Sequence, residues 1–198
     1  MPRPPKARAP LKLAALELFV ERGVHAAGIR ELARHAGCSE AALYRHWENK
    51  EALVKALYVE HLAEVMELLE AAIAGARPTA GEPLVAAQVF QAVKAAYRLY
   101  DEQPLVFRFI LLIQHELAKE MPPDSRSPND VVIGLITAAI ARKEIPPCDP
   151  ALHASWLVGM FLETATFVLY GRLPGPLSQH GEAVATAVLR VLRVGEGR

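Results

Sequence analysis

Side chains that can bind phosphate are concentrated in one short stretch near the N-terminus of this 198-residue chain. Tyr44, Arg45 and His46 are consecutive, and Lys50 follows about one helical turn later. A phenol and an imidazole can donate hydrogen bonds to phosphate oxygens, and the lysine ammonium adds a positive charge. Arginine can also donate two parallel hydrogen bonds to O6 and N7 of guanine. The stretch therefore predicts contact with an anionic partner.

The distribution of charge supports the same prediction. The formal net charge of the whole chain is zero, but residues 1–50 contain nine Lys or Arg against five Glu. The rest of the chain is correspondingly acidic. This excess of positive charge is small enough to fit an ordinary solvated surface. Its concentration in the N-terminal part nevertheless favours an anionic partner there.

Other features of the sequence argue against an enzyme or a metalloprotein. There is no G-x-S-x-G, H-E-x-x-H or P-loop motif, and the seven histidines are scattered. Cys38 and Cys148 are far apart and lack neighbouring histidines at ligand spacing, which indicates reduced thiols in a cytoplasmic protein. We predict no catalytic residue, no metal and no cofactor.

No membrane segment is predicted either. The strongest candidate, Trp156–Leu162, has seven apolar residues before Glu163, whereas a spanning helix needs about 20. The charged N-terminus is not followed by the apolar segment of a signal peptide.

The elements that must position the phosphate-binding side chains are short helices. Residues 1–10 contain four prolines and three cations, and we predict a disordered basic arm. Gly37 supplies a left-handed turn, Ser39 an N-cap after that turn, and Asn49 the N-cap of a longer helix. Apolar periodicity and these end signals predict helices over about 11–23, 28–35, 39–47 and 49–75.

The spacing of these helices is typical of a helix-turn-helix. Leu43 and Trp47 belong to an apolar set that would pack the second and third helices onto the first. The opposite face of the third helix is then free to enter the major groove of DNA.

Proline and glycine divide the rest of the chain into helices. Pro at a first helical position is favoured because its missing N–H would have no partner there, and Ser127–Asp130 approximates a capping box. These signals predict helices near 82–102, 104–119, 128–143, 150–171 and 177–193. The predicted fold class is all-α, with about nine helices.

The run from Ala14 to Leu53, "AALELFVERGVHAAGIRELARHAGCSEAALYRHWENKEAL", resembles the DNA-binding region of the TetR family of bacterial regulators. The resemblance is specific in the pattern A-G-x-S-x-x-x-L-Y-x-H-aromatic-x-x-K-x-x-L and extends over about residues 11–57. It implies a helix-turn-helix domain over 11–50 and an effector-binding and dimerisation domain over 51–198.

The resemblance implies roles for individual residues. Tyr44, His46 and Lys50 match positions that contact phosphates, which orient the protein without reading sequence. The candidates for reading bases lie on or beside the second and third helices: Arg30, Ser39, Glu40, Ala41, Ala42 and Arg45. The chain departs from the family pattern at Gly28, where a capping hydroxyl is usual, and at Glu40. The Glu40 carboxylate would accept from cytosine N4 or turn to solvent; we favour solvent.

In the family, the middle helices enclose a small-molecule pocket and the last two helices form a homodimer interface. The predicted helix over 150–171 is apolar all round, as expected for a helix that faces both a core and a second subunit. Polar residues within apolar helices and apolar neighbours are the candidates for the effector pocket: Tyr97, Phe107, Arg108, His115, Trp156, Met160 and Glu163. Each is also compatible with a satisfied core or surface position.

The sequence therefore predicts a homodimeric, DNA-binding transcriptional repressor. It would bind a pseudo-palindromic double-stranded operator and be released by a small hydrophobic effector. The alternative is a helical ligand-binding or adaptor protein that has lost DNA binding. Gly28 and Glu40 favour the alternative slightly, and Tyr44, His46 and Lys50 argue against it.

Overall fold

The computed structural model describes residues 8–117, 119–122 and 125–195, and all regular structure in these ranges is helical. The nine α-helices are α1 (Arg8–Arg22), α2 (Ile29–His35), α3 (Glu40–Tyr44), α4 (Lys50–Gly75), α5 (Leu84–Glu102), α6 (Pro104–Leu117), α7 (Pro128–Ala141), α8 (Pro150–Leu169) and α9 (Gly181–Val191). A short 3-10 helix, Leu177–His180, precedes α9. The prediction of an all-α fold with about nine helices is confirmed.

The predicted helix starts depend on local chemistry that the structure contains. The amide of Ala52 donates to Asn49 Oδ1 at 2.7 Å, so Asn49 caps α4. Ser127 donates its backbone N–H and its hydroxyl to the Asp130 carboxylate at 2.7 and 2.8 Å, which forms the predicted box before α7. Pro104 and Pro150 are the first residues of α6 and α8.

The predicted disordered arm was wrong for its last three residues, because α1 begins at Arg8. Pro10 lies within the first turn, where the N–H of any residue would have no acceptor within the helix, so the N–H that proline lacks is not missed. Residues 1–7 of the predicted arm lie outside the described residues.

The described residues divide into two compact units. The first unit contains the chain up to His61 together with the segment from Pro104 to Pro122, which includes α6. Phe19 of α1 and Phe109 of α6 are each 1% exposed, and their ring centroids are 6.1 Å apart. A domain limited to residues 11–50, as the sequence predicts, would therefore lack one wall of this core.

The second unit contains Leu62–Gln103 and the described residues from Ser125 onwards. In this unit α5 packs against α9 and the 3-10 helix, and α7 packs against α8. Asp101 of α5 accepts the amides of Leu177 and Ser178 at 2.8 and 3.0 Å, which fixes the start of the 3-10 helix.

One helix of the described chain, α8, is long and apolar enough to cross a membrane by length and composition, and 17% of its most apolar window is buried. The sequence prediction had counted only the uninterrupted apolar residues of this segment, Trp156–Leu162. Glu163 and two threonines interrupt the apolar run of α8 without shortening the helix.

Candidate DNA-binding surface

The turn between α2 and α3 has the geometry expected of a helix-turn-helix. Gly37 has a φ of +65°, a backbone conformation that residues with a Cβ rarely adopt. Ser39 Oγ accepts the amide of Ala42 at 3.3 Å and so caps α3. Gly28 occupies the N-cap of α2 without a side-chain hydrogen bond, as its departure from the family pattern predicts. The turn residues therefore fix the start of the short helix α3.

The α3 segment is anchored by apolar side chains and exposes its polar ones. Leu43 and Trp47 are 3% and 7% exposed, respectively. Tyr44, Arg45 and His46 lie between them and are exposed. The segment thus presents a phenol, a guanidinium and an imidazole to solvent while its apolar side is held in the core of the first unit.

The other predicted base-reading residues surround this segment. Arg30 on α2 is exposed, as are Ser39 and Ala41, whereas Glu40 and Ala42 are half-buried. Arg30 Nε lies 3.2 Å from Glu40 Oε1, so an ion pair joins α2 to the first residue of α3. The Glu40 side chain is 44% exposed, which is compatible with the preference for a carboxylate turned to solvent, and it also has a cationic partner.

The structure gives Lys50 a different partner from the predicted phosphate. Its ammonium donates to the carbonyls of Val24, His25 and Ala27 at 3.0, 3.3 and 3.2 Å. Because an ammonium has three N–H donors, these carbonyls account for all of them. Lys50 therefore holds the segment between α1 and α2, and a direct phosphate contact would require breaking these bonds.

Further contacts fix α2 against α1 within the first unit. His35 Nε2 lies 2.8 Å from Glu17 Oε2, and the Arg22 guanidinium contacts the Glu31 carboxylate at 2.5 Å. The segment after α1 also contacts α6, since His25 Nε2 lies 3.0 Å from Glu116 Oε2. Of the residues named here, only Glu116 lies outside the run Ala14–Leu53 that carries the resemblance.

One contact that the sequence did not predict adds a cation beside α3. The Arg8 guanidinium carbon lies 5.5 Å from the centroid of the Trp47 ring, within the range of a cation–π interaction. Trp47 also contacts the ring of His46, with centroids 5.5 Å apart. A cation near the N-terminus was the available signal, but assigning Arg8 to a disordered arm hid this contact.

The predicted effector residues fall in both units. Arg108 and His115 are exposed on α6, and Phe107 is buried in the first unit. Tyr97 is fully buried in the second unit, where its hydroxyl donates to the Phe161 carbonyl at 3.2 Å. Burial raises the pKa of Tyr97 to about 12, so it remains a neutral donor. An effector pocket lined by these residues stays a prediction.

Three remaining candidates lie on α8. Trp156 is 47% exposed, and Met160 and Glu163 line an open groove of about 490 Å³ between α8 and α9. Thr164 and His180, which the sequence interpretation missed, also line this groove. They carried no distinguishing sequence signal, because only the packing of α9 brings His180 beside α8.

Comparison with known proteins gives a consistent result. The family described as "Bacterial regulatory proteins, tetR family" matches residues 13–57. The HTH-type transcriptional activator FasR of Mycolicibacterium smegmatis is 46% identical over 55 residues, which are 28% of this chain and only 25% of FasR. The HTH-type transcriptional repressor BepR of Brucella suis is 30% identical over 201 residues, covering 94% of this chain and 91% of BepR.

The fold is shared with a solved regulator. FadR from Bacillus subtilis, determined in complex with stearoyl-CoA, aligns with a TM-score of 0.76 at 19% identity, covering 91% of this chain and 97% of FadR. The sequence match extends over nearly all of BepR, and the motif match falls on the helix-turn-helix described above. The chain belongs to the TetR family of bacterial transcriptional regulators.

Proposed function

We propose that this regulator is a homodimeric repressor that binds a pseudo-palindromic operator through α2 and α3 and leaves it when a small hydrophobic effector binds. The observation that carries the proposal is the α3 segment. Its apolar residues Leu43 and Trp47 are buried while Tyr44, Arg45 and His46 are exposed. This is the arrangement that insertion into a major groove requires.

The exposed residues divide by the chemistry they can perform. Tyr44 and His46 would donate to phosphate oxygens and set the position of α3 on the duplex. Arg30 and Arg45 would read base edges, together with the small residues of the first turn of α3. Lys50 would act indirectly, because its bonds to three carbonyls fix the segment that leads into α2.

The dimer is proposed from the surface of the second unit. Large apolar side chains of α8 are exposed at Leu152, Trp156 and Phe167, and the exposed Tyr170 follows the helix directly. Gly159 has no atom near the position of a Cβ, so a second helix could approach there closely. A two-fold dimer would cover this face and present two copies of α3 to successive major grooves.

The effector is proposed to be hydrophobic, as the sequence prediction has it. BepR is named a repressor, and FadR of the same fold was determined with stearoyl-CoA. A fatty acyl thioester is therefore the first compound class to test. An effector that binds better to a form with displaced α3 helices must lower operator affinity, and coupling of about 1–3 kcal/mol would correspond to roughly 5- to 150-fold release.

The test is a salt titration of binding to duplexes recovered by selection from a random pool. We expect the affinity to fall steeply with salt, because each phosphate contact releases counterions. Arg45→Ala should weaken binding, and Arg98→Ala, which removes an exposed arginine from the second unit, should not. No binding at low salt would instead favour the adaptor alternative. We propose that the protein acts in the cytoplasm.

A further inference from the structure

The ion pair between Arg30 and Glu40 joins the two helices that are proposed to face DNA. Arg30 Nε and Glu40 Oε1 are 3.2 Å apart, and the two side chains are 91% and 44% exposed. No other contact of the Arg30 guanidinium occurs within the described part of the chain. The pair is therefore a local and solvent-accessible link between α2 and α3.

The geometry of the pair leaves the guanine-binding edge of Arg30 available. Arginine has five N–H donors in a planar fork, and the 3.2 Å contact of the ion pair to Glu40 is made by Nε. The two Nη groups can still donate in parallel to O6 and N7 of a guanine. A long exposed side chain loses rotamer freedom when it binds, and a partner that restricts it beforehand reduces this loss.

The carboxylate has a second effect because it lies on a surface that approaches phosphates. An acidic group there repels the phosphates of DNA of any sequence. The hydrogen bonds of Arg30 to a guanine offset this repulsion only at sites where that guanine is present. Specificity depends on the difference between the two affinities, so a repulsive element raises it even when it weakens binding.

We propose that Glu40 is a positioning residue that holds Arg30 for a single guanine in each half-site and disfavours binding to other DNA. The inference rests on the proposed function, since it concerns how the same surface selects its operator. It assigns Glu40 no base contact of its own, in contrast to the cytosine contact that its sequence position allows.

The experiment compares base preference and non-specific affinity in parallel. Half-sites are selected from random duplexes by the full-length wild type, Arg30→Ala, Glu40→Ala and Glu40→Gln. Binding to an unrelated duplex is then measured for each protein. Glu102→Ala is the matched control, because Glu102 forms an exposed pair with Arg98 at 3.3 Å in the second unit.

We expect the wild type to prefer G·C at one position by roughly 5- to 150-fold, the discrimination of a bidentate contact. Arg30→Ala should abolish that preference and leave the other positions unchanged. Glu40→Ala should lower the same preference several-fold while tightening binding to the unrelated duplex. Glu40→Gln removes the charge but keeps an acceptor for Nε, so it should tighten non-specific binding while retaining more of the preference.

Several results would overturn the proposal. An unchanged base preference in Glu40→Ala would reduce the pair to an ordinary surface contact, and so would equal effects of Glu40→Ala and Glu102→Ala. A loss of preference at a position that Arg30→Ala does not affect would show that Glu40 contacts a base itself. If the wild type selects a defined half-site in any of these cases, the proposed function stands even though the role of Glu40 does not. If the wild type fails to bind DNA at low salt, both proposals fail.

Discussion

The ammonium of Lys50 shows how a single side chain can hold a segment that is distant in sequence. It bonds three carbonyls that precede it by 23 to 26 residues. Lys50→Met would leave carbonyls of Val24, His25 and Ala27 without this donor, two of the three bonds being partly buried. We expect a loss of about 1–3 kcal/mol in the free energy of unfolding, the usual cost of such orphaned groups.

Urea unfolding of Lys50→Met measures this loss directly. Lys55→Met is the control, since Lys55 is on the same helix and exposed. Equal midpoints for the two variants would contradict the role given to Lys50. A role in phosphate binding alone would instead lower DNA affinity without changing the unfolding transition.

Tyr44 is the residue at which positioning on DNA can be separated from base reading. Tyr44→Phe removes one hydroxyl from a side chain that is 52% exposed. A hydrogen bond to a charged phosphate is worth about 1.5–3 kcal/mol, so operator affinity should fall roughly 10- to 150-fold. Base preferences from duplex selection should stay unchanged, because phosphate contacts carry no sequence information.

Thr79→Val is the control for this substitution. It also removes one hydroxyl from an exposed side chain, and Thr79 lies in the second unit. A shift in base preference in Tyr44→Phe, or an unchanged affinity, would contradict the phosphate assignment.

The sequence identified which residues surround the turn but not what each one contacts. Gly37 and Ser39 act through neighbours within a few positions, so their roles follow from local geometry. The three carbonyls that Lys50 contacts lie in the loop between α1 and α2, and the partner of Glu40 lies on α2. Contacts of this kind depend on how helices pack, which periodicity alone does not specify.

At the scale of elements, the start of α5 depends on a side chain from elsewhere in the second unit. Pro83 is the N-cap and provides no side-chain hydrogen bond. The Glu144 carboxylate accepts the amides of Leu84 and Val85 at 2.8 and 3.2 Å instead, and Arg142 lies 2.8 Å away. Glu144 thus supplies the cap that the local sequence lacks.

These contacts predict a pH dependence of stability. Burial alone would raise the pKa of Glu144, but Arg142 and the two amides outweigh it, so the pKa lies below the ordinary value of 4.5. The ionised carboxylate therefore stabilises the fold fully above pH 4.5, and this contribution is lost as the pH falls through the lower folded-state pKa.

Glu144→Gln should lower the free energy of unfolding by about 1–3 kcal/mol at neutral pH. The difference from wild type should shrink in acid well below pH 4.5, where wild-type Glu144 becomes protonated as well. Urea midpoints at the two pH values check this, with Glu102→Gln as an exposed control. A difference that is constant with pH would contradict the assignment.

Three helix starts that proline marks were predicted to the residue. Pro104, Pro128 and Pro150 begin their helices as predicted, because a missing N–H is favourable only in the first turn. The third helix was expected to reach Trp47 but ends at Tyr44. The amides of His46 and Trp47 both bond to the Leu43 carbonyl in a tight turn, which carries Trp47 into the core.

At the scale of the whole molecule, the proposed dimer depends on the exposed apolar face of α8. Trp156 is 47% exposed and packs beside the ring of His153, with centroids 4.7 Å apart. Buried tryptophans at interfaces commonly contribute 2 kcal/mol or more when truncated. Trp156→Ala should therefore weaken dimerisation by roughly 30-fold or more.

Sedimentation velocity across a concentration series measures this change. Gln91→Ala, at an exposed position of α5, should leave the association unchanged. A monomeric wild type, or equal behaviour of the two variants, would contradict an α8 interface. The sequence predicted the apolar character of α8, but which of its sides remains exposed became clear only once α7 and α9 were packed against it.

The same dependence on packing bears on Arg108 and His115, whose place in an effector pocket stays a prediction. Arg108 and His115 interrupt an apolar stretch of α6, which suggested polar groups within a cavity. The structure exposes both and buries Phe109 and Ile113 instead. The face that a helix buries depends on its neighbours in space, and within the first unit α6 packs against α1.

The place of α6 within the first unit also limits how such regulators can be recombined. An exchange of only residues 13–57, the segment that the family model matches, would pair one parent's Phe19 with the other parent's counterpart of Phe109. Hybrid sensors built from this protein should therefore carry residues 104–117 with the N-terminal segment, as two separate insertions from one parent. A single crossover placed after the helix-turn-helix would instead join mismatched aromatic surfaces. The yields of soluble protein from the two kinds of hybrid would measure this effect.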